Sequence, residues 1–553
     1  MNLGRPQKSR RLRPPATLLA LASIALAATH SAAVAQTNPD RLAATVKTLG
    51  GDAFGGRAPG TPGEDVTVRY LVDQFARLGL QPGGADGGWT QPVTLVHTQI
   101  GPARRLRIEG DGSPLDLRQN RDIYVSTLRP ADRVTITDAP LVYVGYGVVA
   151  PERGRDDFQG VDLHGKVAVF LIGPPALDGA AVMTQYARWT YKFEEAARRG
   201  AVAALLVHEM PEAQIDWPTA IGPLGQGYDI ARGAGEPPSI ALRGLLQRDV
   251  AVALFRRAGL DFEAQKGAAR LAGFKAIAMG DLHLSFDAPE THGEIHSRNV
   301  IAKLEGAKAP DQTVMFAAHW DAFGAGPPDA EGDTIRRGAN DDALGVAGVL
   351  ELARAFATAP RPARTVVFAL WTAEERGLLG SEAYAARPLY PLAKTAANFT
   401  LDIMNTAGRS HDLVLVGAGL DTLEDDLSRA ATTQGRRVTP EASPERGYFY
   451  RADHFSLVKR GVPALLLMAM AQGPDLVVGG RDAGRRWAED YITRCYHKPC
   501  DTWSAQWDLR GAAEDIDLVY AVGRAVADTR TWPAWKPGAE FKAIRDRSAD
   551  QRP

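Results

Sequence analysis

The sequence predicts an α/β protein with a main sheet domain and a second, smaller α/β unit inserted before it. Apolar strand-like runs alternate with helix-like runs from Asn299 to Val526, and acidic or histidine residues follow several of the strand-like runs directly. A stretch between about residues 141 and 260 has strand and helix patterns of its own. In open α/β sheets, sites form in the crevice outside the carboxyl ends of the strands.

Length and composition indicate an ordinary globular protein of two or three domains. The chain has 553 residues, 45% of them hydrophobic and 23% charged, with a formal net charge of −1. This length is too great for a single hydrophobic core. The near-neutral charge and the absence of a Lys/Arg run beyond the N-terminus argue against nucleic acid as a partner.

The first 35 residues have the pattern of an export signal. Basic residues precede the apolar run Ala16–Ala28, and Ala33-Val34-Ala35 offers a cleavage site before Gln36. A retained membrane anchor is the alternative, but the apolar run is short for a membrane span. We therefore predict a periplasmic or secreted protein that does not contact the membrane once the signal is removed.

The two cysteines, Cys495 and Cys500, lie five positions apart. In an oxidising compartment this spacing favours a small-loop disulfide. A Cys/His metal knuckle is the alternative, although the second pair of ligands that structural zinc motifs need is missing.

Along the first half of the chain, the pattern predicts helices over 40–49 and 66–78 and short strands from 90 to 135. Residues 141–149, 166–172 and 202–207 read as buried strands. Residues 260–295 show no clear pattern, and the polar tail after Trp535 is expected to fray.

The strand Thr313–Ala318 delivers His319 at its end, followed by Asp321. Alternate residues of an extended segment share a face. His319 can therefore bind a metal while Asp321 accepts its other ring N–H and fixes the tautomer. An ordinary strand-end pair is the alternative.

Asn340-Asp341-Asp342 opens a helix-like run. A helix N-cap explains one aspartate at such a place. Two in a row are more than a cap needs, so one of them is a candidate carboxylate bridge between two metals.

Glu374 and Glu375 follow the strand Thr365–Leu370. Paired carboxylates near a core repel each other and lose hydration, and a cation offsets that cost. On an extended backbone the two side chains would point in opposite directions, so that one could bind metal and the other act as general base. A solvated pair opening the next helix is the alternative.

Two further residues complete a ligand set. Asp402 ends the strand-like run that begins at Asn398, and His497 lies inside the cysteine loop. Of the 11 histidines, only His319, His454 and His497 have such surroundings. Imidazole and carboxylate donors gathered at strand ends suit a divalent metal, zinc above all.

Taken together, these motifs resemble those of the co-catalytic di-zinc exopeptidases, a family that includes aminopeptidase Y, bacterial leucyl aminopeptidases and glutamate carboxypeptidase. The motifs that occur in the family's order are His319-x-Asp321, Asn340-Asp341-Asp342-Ala, Glu374-Glu375-x-Gly, the strand ending at Asp402, Asp453-His-Phe and Tyr496-His497-x-Pro-x-Asp501. Gly56-Arg57-Ala-Pro-Gly-Thr is similar to the family's N-terminal segment.

The resemblance implies a three-layer, mixed-sheet peptidase core with an inserted protease-associated domain. The domain boundaries it suggests are 1–35 for the signal, 36–135 for the first part of the peptidase domain, 136–262 for the insert, 263–535 for the di-zinc core and 536–553 for the tail.

The resemblance also implies two Zn²⁺ ions per chain and a role for each site residue. Their implied roles are Asp341 as the bridge, His319 and Asp402 on one zinc, Glu375 and His497 on the other, Glu374 as general base, Asp321 as the residue orienting His319, and Tyr496 as the group polarising the substrate carbonyl. A cis peptide between Asp341 and Asp342 is implied as well.

The family resemblance favours an aminopeptidase acting on peptides or small proteins. A carboxypeptidase or dipeptidase would need a cationic clamp, for which the candidates are Arg336, Arg337, Arg446 and Arg451. A non-catalytic binding protein on the same scaffold is a third possibility, which the complete ligand set disfavours. A single-zinc glutaminyl cyclase is disfavoured for the same reason. Residues 448–450 could form a wall of the specificity pocket or pack in the core.

Overall fold

The computed structural model describes Met1 and residues 37–553, apart from positions 111, 174–175, 178–179, 182–183, 211, 214, 223, 234–238 and 553. Apart from Met1, the predicted export signal lies outside the described residues. None of the helices in the described part of the chain combines the length and apolarity needed to cross a bilayer.

The helices are α1 (Pro39–Leu49), α2 (Pro62–Arg77), α3 (Trp189–Arg198), α4 (Trp217–Ala220), α5 (Arg248–Arg257), α6 (Phe262–Ala269), α7 (Leu344–Thr358), α8 (Leu379–Ala386), α9 (Leu423–Thr433), α10 (His454–Val458), α11 (Gly480–Asp490), α12 (Arg510–Asp528) and α13 (Lys542–Asp546).

The strands are β1 (Gln81–Pro82), β2 (Thr90–Ile100), β3 (Arg105–Glu109), β4 (Leu115–Asp116), β5 (Ile123–Ser126), β6 (Arg133–Tyr143), β7 (Val149–Ala150), β8 (Arg155–Asp156), β9 (Val167–Leu171), β10 (Ala176–Leu177), β11 (Ala180–Ala181), β12 (Ala203–His208), β13 (Gln226–Ile230), β14 (Leu242–Gln247), β15 (Ile277–Leu304), β16 (Ala309–His319), β17 (Gly324–Ala325), β18 (Ile335–Arg336), β19 (Arg364–Trp371), β20 (Thr395–Leu401), β21 (Asp412–Val416), β22 (Arg437–Pro440) and β23 (Ala464–Leu467).

The strands that matter for the site lie side by side. β19, β16, β20 and β23 are adjacent and parallel, so their carboxyl ends share one edge. β15 pairs antiparallel with β19, and β21 pairs antiparallel with β23. The sheet is therefore mixed, as predicted.

Helices cover both faces of this sheet because successive side chains of β16 point to opposite sides. Val314, Phe316 and Ala318 pack in a core that includes residues of α1, α2, α7 and α12. Met315 and Ala317 pack in a second cluster with residues of α8 and α10. This arrangement confirms the predicted three-layer α/β fold.

A second sheet region is attached through β15, which runs for 28 residues. The first part of β15 pairs with β3 and β6, and the second part pairs with β2 and β19. β6, β9, β12 and β14 lie side by side in parallel, with β5 antiparallel to β14. Two buried apolar clusters belong to this region. The inserted domain with boundaries 136–262 remains a prediction.

Three details differ from the sequence predictions. The predicted strand 141–149 breaks at Tyr143, because Gly145 and Gly147 adopt positive φ values of 57° and 65°. Much of the unpatterned stretch 260–295 is strand: the exposed charged residues of β15 obscured its period. The tail does not fray. Phe541 is fully buried and packs its ring against that of Trp535, 5.2 Å away between centroids.

Candidate metal centre

The site forms where the parallel strands end. His319 is the last residue of β16, Asp402 directly follows β20, and Glu374 and Glu375 lie three and four residues beyond the end of β19. Because these strands are neighbours and parallel, the fold brings together side chains that are far apart in sequence.

The Asp341 carboxylate lies between two histidines. Its Oδ1 is 3.1 Å from Nε2 of His319, and its Oδ2 is 3.3 Å from Nε2 of His497. His497 is supplied by the loop after the helical turn Tyr491–Cys495. The two carboxylate oxygens therefore face two different groups of ligand-type residues.

Two groups of donor atoms, each within 4.8 Å of one another, can be drawn at this place: His319, Asp342 and Asp402, and Asp341, Glu375 and His497. Asp342 is already engaged, because its oxygens accept hydrogen bonds from the main-chain N–H groups of His319 and Gly345 at 3.1 and 3.0 Å. Asp341 is thus the freer partner for His319. Asp342 thus binds main-chain N–H groups at the end of β16 and the start of α7, Asp341 faces the histidines, and a carboxylate bridge at this pair remains a prediction.

The two glutamates diverge for a different reason from the one predicted. The backbone is not extended here: Ala373 has a φ of 53°, and Glu374–Arg376 forms a tight helical turn. This turn sends Oε2 of Glu375 to 3.2 Å from Nε2 of His497. Oε2 of Glu374 lies 4.0 Å from Nε2 of His319. The separation of the pair is therefore produced by a turn after the strand.

Asp321 contacts His319 mainly through its main chain. Nδ1 of His319 is 3.1 Å from the Asp321 carbonyl oxygen and 3.7 Å from the Asp321 carboxylate. The carboxylate instead accepts the main-chain N–H of Glu374 at 3.0 Å. The role of Asp321 in orienting His319 remains a prediction, with its carboxylate 3.7 Å from Nδ1.

Asp501, to which the sequence analysis assigned no role, binds the main chain at Asp341. Asp501 accepts the main-chain N–H groups of Asn340 and Asp341 at 2.9 and 3.1 Å, and the Tyr491 hydroxyl at 3.0 Å. The peptide bond between Asp341 and Asp342 is cis, as the resemblance implied. The sequence contained Asp501 within a motif but offered no local sign of these main-chain partners.

The predicted disulfide between Cys495 and Cys500 is present. The loop it closes carries Tyr496 and His497, whose ring centroids are 3.6 Å apart. Burial and the neighbouring carboxylates, above all Asp341, raise the pKa of the Tyr496 phenol well above its usual range. Tyr496 therefore keeps its proton at neutral pH and can donate a hydrogen bond.

The crowded acids perturb one another. Burial, followed by repulsion from Asp341, raises the pKa of Asp402 to about 7. Burial and neighbouring carboxylates also raise the pKa values of Glu374 and Glu375 well above the usual range. Burial opposes the ionisation of Asp341 too, but contacts with His319 and His497 hold its pKa below the usual range. Such a cluster is stabilised by added positive charge.

The donor set fits a divalent metal. Oδ1 of Asp402 is buried and has no hydrogen-bond partner among the described residues, and it lies 4.0 Å from Nε2 of His319. One imidazole and several carboxylate oxygens face each half of the site, a combination that suits zinc. The structure thus provides candidate metal-binding groups, and the assignment of individual ligands remains a prediction.

His454, which the sequence singled out with His319 and His497, packs away from the ligand groups. Its ring lies 4.8 Å from that of Phe449 between centroids, and burial lowers its pKa to about 3. Phe449 and its neighbours Tyr448 and Tyr450 are buried in the same apolar cluster. In the structure, the aromatic side chains of residues 448–450 therefore pack in the core.

The four arginines considered as a clamp have different surroundings. Arg337 is paired with Asp52 and Asp333. The guanidinium groups of Arg446 and Arg451 each lie 5.6 Å from the centre of the Tyr448 ring. Arg336 lines the opening beside His497.

The chain resembles known metallopeptidases. Residues 299–521 match the family described as Peptidase family M28. A probable zinc metalloprotease of Pyricularia oryzae is 30% identical over 190 residues, which cover 31% of this chain and 37% of that protein. A probable zinc metalloprotease of Pyrenophora teres f. teres is 37% identical over 113 residues, 20% of this chain and 24% of that protein. These two matches thus span well under half the length of either relative.

Longer matches have lower identity. A probable lipoprotein aminopeptidase, LpqL, of Mycobacterium tuberculosis is 25% identical over 496 residues, which cover 86% of this chain and 81% of that protein. The structure of an aminopeptidase from Aneurinibacillus sp. strain AM-1 superposes with a TM-score of 0.47 and 21% identity, covering 90% of this chain and 95% of that one.

Proposed function

We propose that the chain is a member of peptidase family M28, whose model matches residues 299–521, and that it is a zinc-dependent exopeptidase that releases N-terminal residues from peptides. One observation carries the proposal: the two oxygens of Asp341 face His319 and His497 at 3.1 and 3.3 Å. A carboxylate between two imidazoles, each beside a further carboxylate, offers ligand groups for two metal ions.

In this proposal the ligands are divided between two Zn²⁺ ions. Asp341 would serve both ions, His319 and Asp402 would hold one, and Glu375 and His497 would hold the other. Bound zinc supplies Lewis acidity toward the scissile carbonyl and lowers the pKa of water. The support for this division is geometric. Asp342 is engaged with main-chain N–H groups, whereas Oδ1 of Asp402 is buried beside His319 and has no hydrogen-bond partner among the described residues.

Glu374 is the proposed general base. Its main-chain N–H is held by the Asp321 carboxylate at 3.0 Å, which fixes the turn that presents its side chain. From this position Glu374 would accept a proton from the attacking water and pass it to the leaving amine. Tyr496, which keeps its proton, would donate a hydrogen bond to the oxygen that becomes negative.

The acidic surroundings favour a substrate with a free amino group. Asp453 lies buried near this end of the site, where its Oδ1 accepts the Ser381 hydroxyl at 2.5 Å. Its Oδ2 has no hydrogen-bond partner in the described part of the chain. Burial raises the pKa of Asp453 to about 8, and a bound α-ammonium group would favour its ionised form.

We also propose that the protein works after export, with residues 136–262 as an inserted domain beside the peptidase core. The disulfide between Cys495 and Cys500 supports the oxidising compartment. The separate apolar clusters of the second sheet region support the insert.

The deciding experiment compares one short peptide in free and N-acetylated form. The mature protein, loaded with zinc, should cleave only the free form, and both chelation and Glu374→Gln should abolish cleavage. Cleavage of both forms would contradict the aminopeptidase and indicate a carboxypeptidase or endopeptidase. Cleavage of neither form, with zinc bound, would indicate a binding protein.

A further inference from the structure

Arg376 lies between two aromatic rings at the edge of the metal centre. Its guanidinium carbon is 5.0 Å from the centre of the Tyr228 ring and 5.6 Å from that of Phe323. These distances are within cation–π range. Rings packed against a guanidinium leave its in-plane N–H groups available for hydrogen bonds. No carboxylate of the described residues forms an ion pair with it.

The three side chains come from different parts of the fold. Arg376 ends the turn that carries Glu374 and Glu375, Tyr228 lies on β13, and Phe323 follows β16. β13 joins the sheet through β2. Arg376 is half-buried, so the two rings hold a cation at a fixed place without neutralising it.

Phe323 connects this cation to the metal centre. Its ring centroid is 4.6 Å from that of His497. Arg336 and Lys498 line the same opening, together with Phe323, Glu375 and His497. The His497 end of the site is therefore bordered by positive side chains.

At the His319 end of the site, the nearby side chains are carboxylic acids. Near His319, the buried oxygens Oδ1 of Asp402 and Oδ2 of Asp453 have no hydrogen-bond partner in the part of the chain that the structure describes. Asp402 is a proposed zinc ligand, which leaves Asp453 as the carboxyl group available to a substrate at the His319 end, whereas an unpaired arginine lies at the His497 end. A molecule with an ammonium group at one end and a carboxylate at the other complements this polarity.

We propose that Arg376, held between Tyr228 and Phe323, binds a carboxylate on the leaving-group side of the substrate. The inference rests on the proposed aminopeptidase function and names its substrate class: short peptides with a free C-terminus. The planar guanidinium can meet a carboxylate with two parallel hydrogen bonds. An acidic side chain beside the scissile bond offers the same chemistry, and the substrates below separate the two sources.

The test uses three dipeptide substrates: Leu-Ala, Leu-Ala-amide and Leu-Glu-amide. The proteins are the zinc-loaded wild type, Arg376→Gln, Arg376→Lys and a control, Arg429→Gln. Arg429 is an exposed residue of α9 that is paired with Asp426. The quantity compared is the ratio of kcat/KM for each carboxylate-bearing substrate to that for Leu-Ala-amide.

In the wild type we expect this ratio to be about ten or more for Leu-Ala, since hydrogen bonds to charged groups are the strong ones. Arg376→Gln should bring it close to one, mainly through KM, and Arg429→Gln should leave the wild-type ratio. Arg376→Lys should give an intermediate value, because Lys keeps the charge but not the planar fork. A high ratio for Leu-Glu-amide but not for Leu-Ala would identify the side chain as the carboxylate source.

Binding provides a readout that does not depend on turnover. Calorimetry with Glu374→Gln should show tighter binding of Leu-Ala than of Leu-Ala-amide, and adding Arg376→Gln should remove the difference. That result would support the carboxylate site even if no substrate were hydrolysed, a case in which only the aminopeptidase proposal would fail. Equal ratios in wild type and Arg376→Gln, in both kinetics and binding, would overturn the carboxylate site while leaving the aminopeptidase intact.

Discussion

Arg57 donates a hydrogen bond from Nε to the main-chain oxygen of Trp320 at 2.7 Å, although the two residues are 263 positions apart. Its remaining N–H groups bind the carbonyl oxygens of Leu49, Arg337 and Gly338 at 2.9, 2.6 and 2.8 Å. Arg57 is fully buried. One guanidinium therefore joins the segment after His319 to the segment before Asp341.

We expect Arg57→Met to lower the free energy of unfolding by roughly 3 kcal/mol or more, because four carbonyl groups lose their donor and three of these hydrogen bonds are buried. Arg57→Lys should lie between this variant and the wild type, since an ammonium has fewer donors. Denaturant unfolding measures the change. Arg77→Met, an exposed position at the end of α2, serves as the control and should change stability by less than about 0.5 kcal/mol.

The same substitution should also loosen metal binding. Arg57 fixes the backbone on both sides of the ligand set, so Arg57→Lys, which has the better chance of folding, should release zinc to a chelator faster than the wild type does. Release at the wild-type rate would show that Arg57 supports the fold but not the geometry of the ligands.

Glu374→Gln tests the proposed base. The amide keeps the size of the side chain but cannot accept the proton, so turnover should fall at least about 100-fold while zinc content stays the same. Metal analysis of the purified variant and its steady-state kinetics give the two quantities. Turnover at the wild-type level would remove Glu374 from the mechanism.

Asp341 and Asp342 should differ in metal content although they are adjacent. Asp341→Ala removes the carboxylate between the two histidines, and we expect zinc to fall at both halves of the site. Asp342→Asn disturbs hydrogen bonds to main-chain N–H groups, so it should lower stability while folded protein still binds zinc. Full zinc stoichiometry in Asp341→Ala would contradict its bridging role.

A site residue could be predicted where the residues next to it in the sequence mark its position in the fold. His319 and Asp402 end apolar strands, and strand ends on a parallel sheet share an edge, so their proximity follows from local pattern plus one rule of topology. Asp501 and Arg57 act through carbonyl and N–H groups of distant main chain, which no residue spacing encodes. Arg376 is the variable residue of the motif Glu374-Glu375-x-Gly. Its contact with the Tyr228 ring comes from β13, which lies far away in the sequence.

The fold was likewise predicted where the sequence pattern is local and missed where it is not. The α/β class followed from alternating strand-like and helix-like runs, and the three layers were implied by the family resemblance. Of the 28-residue strand β15, only the end from Asn299 was predicted. The earlier part was missed because the middle of β15 is exposed and polar, so its burial does not alternate regularly. The buried tail was missed because Phe541 is a single apolar residue in a polar stretch, and only the tertiary structure supplies its partners.

Glu540 predicts a dependence of stability on pH. It accepts the Tyr450 hydroxyl at 2.6 Å, and burial raises its pKa from 4.5 to about 7. Between these values the unfolded chain ionises while the folded protein keeps the proton. The free energy of unfolding should therefore fall as the pH rises from about 4.5 to 7.

Glu540→Gln removes this titration. The variant should match the wild type near pH 4 and exceed its stability by on the order of 2 kcal/mol at pH 8. Unfolding in denaturant at both pH values measures the difference. A constant offset at the two pH values would show that the substitution acts through packing instead.

The disulfide between Cys495 and Cys500 should matter more to His497 than to the rest of the site. His497 has a φ of 63°, in the left-handed region that non-glycine residues rarely adopt, and the closed loop keeps it there. Replacing both cysteines by serine should lower the free energy of unfolding by about 2 kcal/mol, as expected for so short a loop.

The local consequence for His497 is more specific. Without the disulfide, His497 can leave its position beside Asp341 and Glu375, whereas His319 and Asp402 stay fixed at the ends of β16 and β20. The double serine variant should therefore lose one zinc to a limiting amount of chelator before the other, while the wild type retains both. Equal resistance to chelator in the two proteins would mean that packing around Tyr491 and Tyr496 is enough to hold His497 in place.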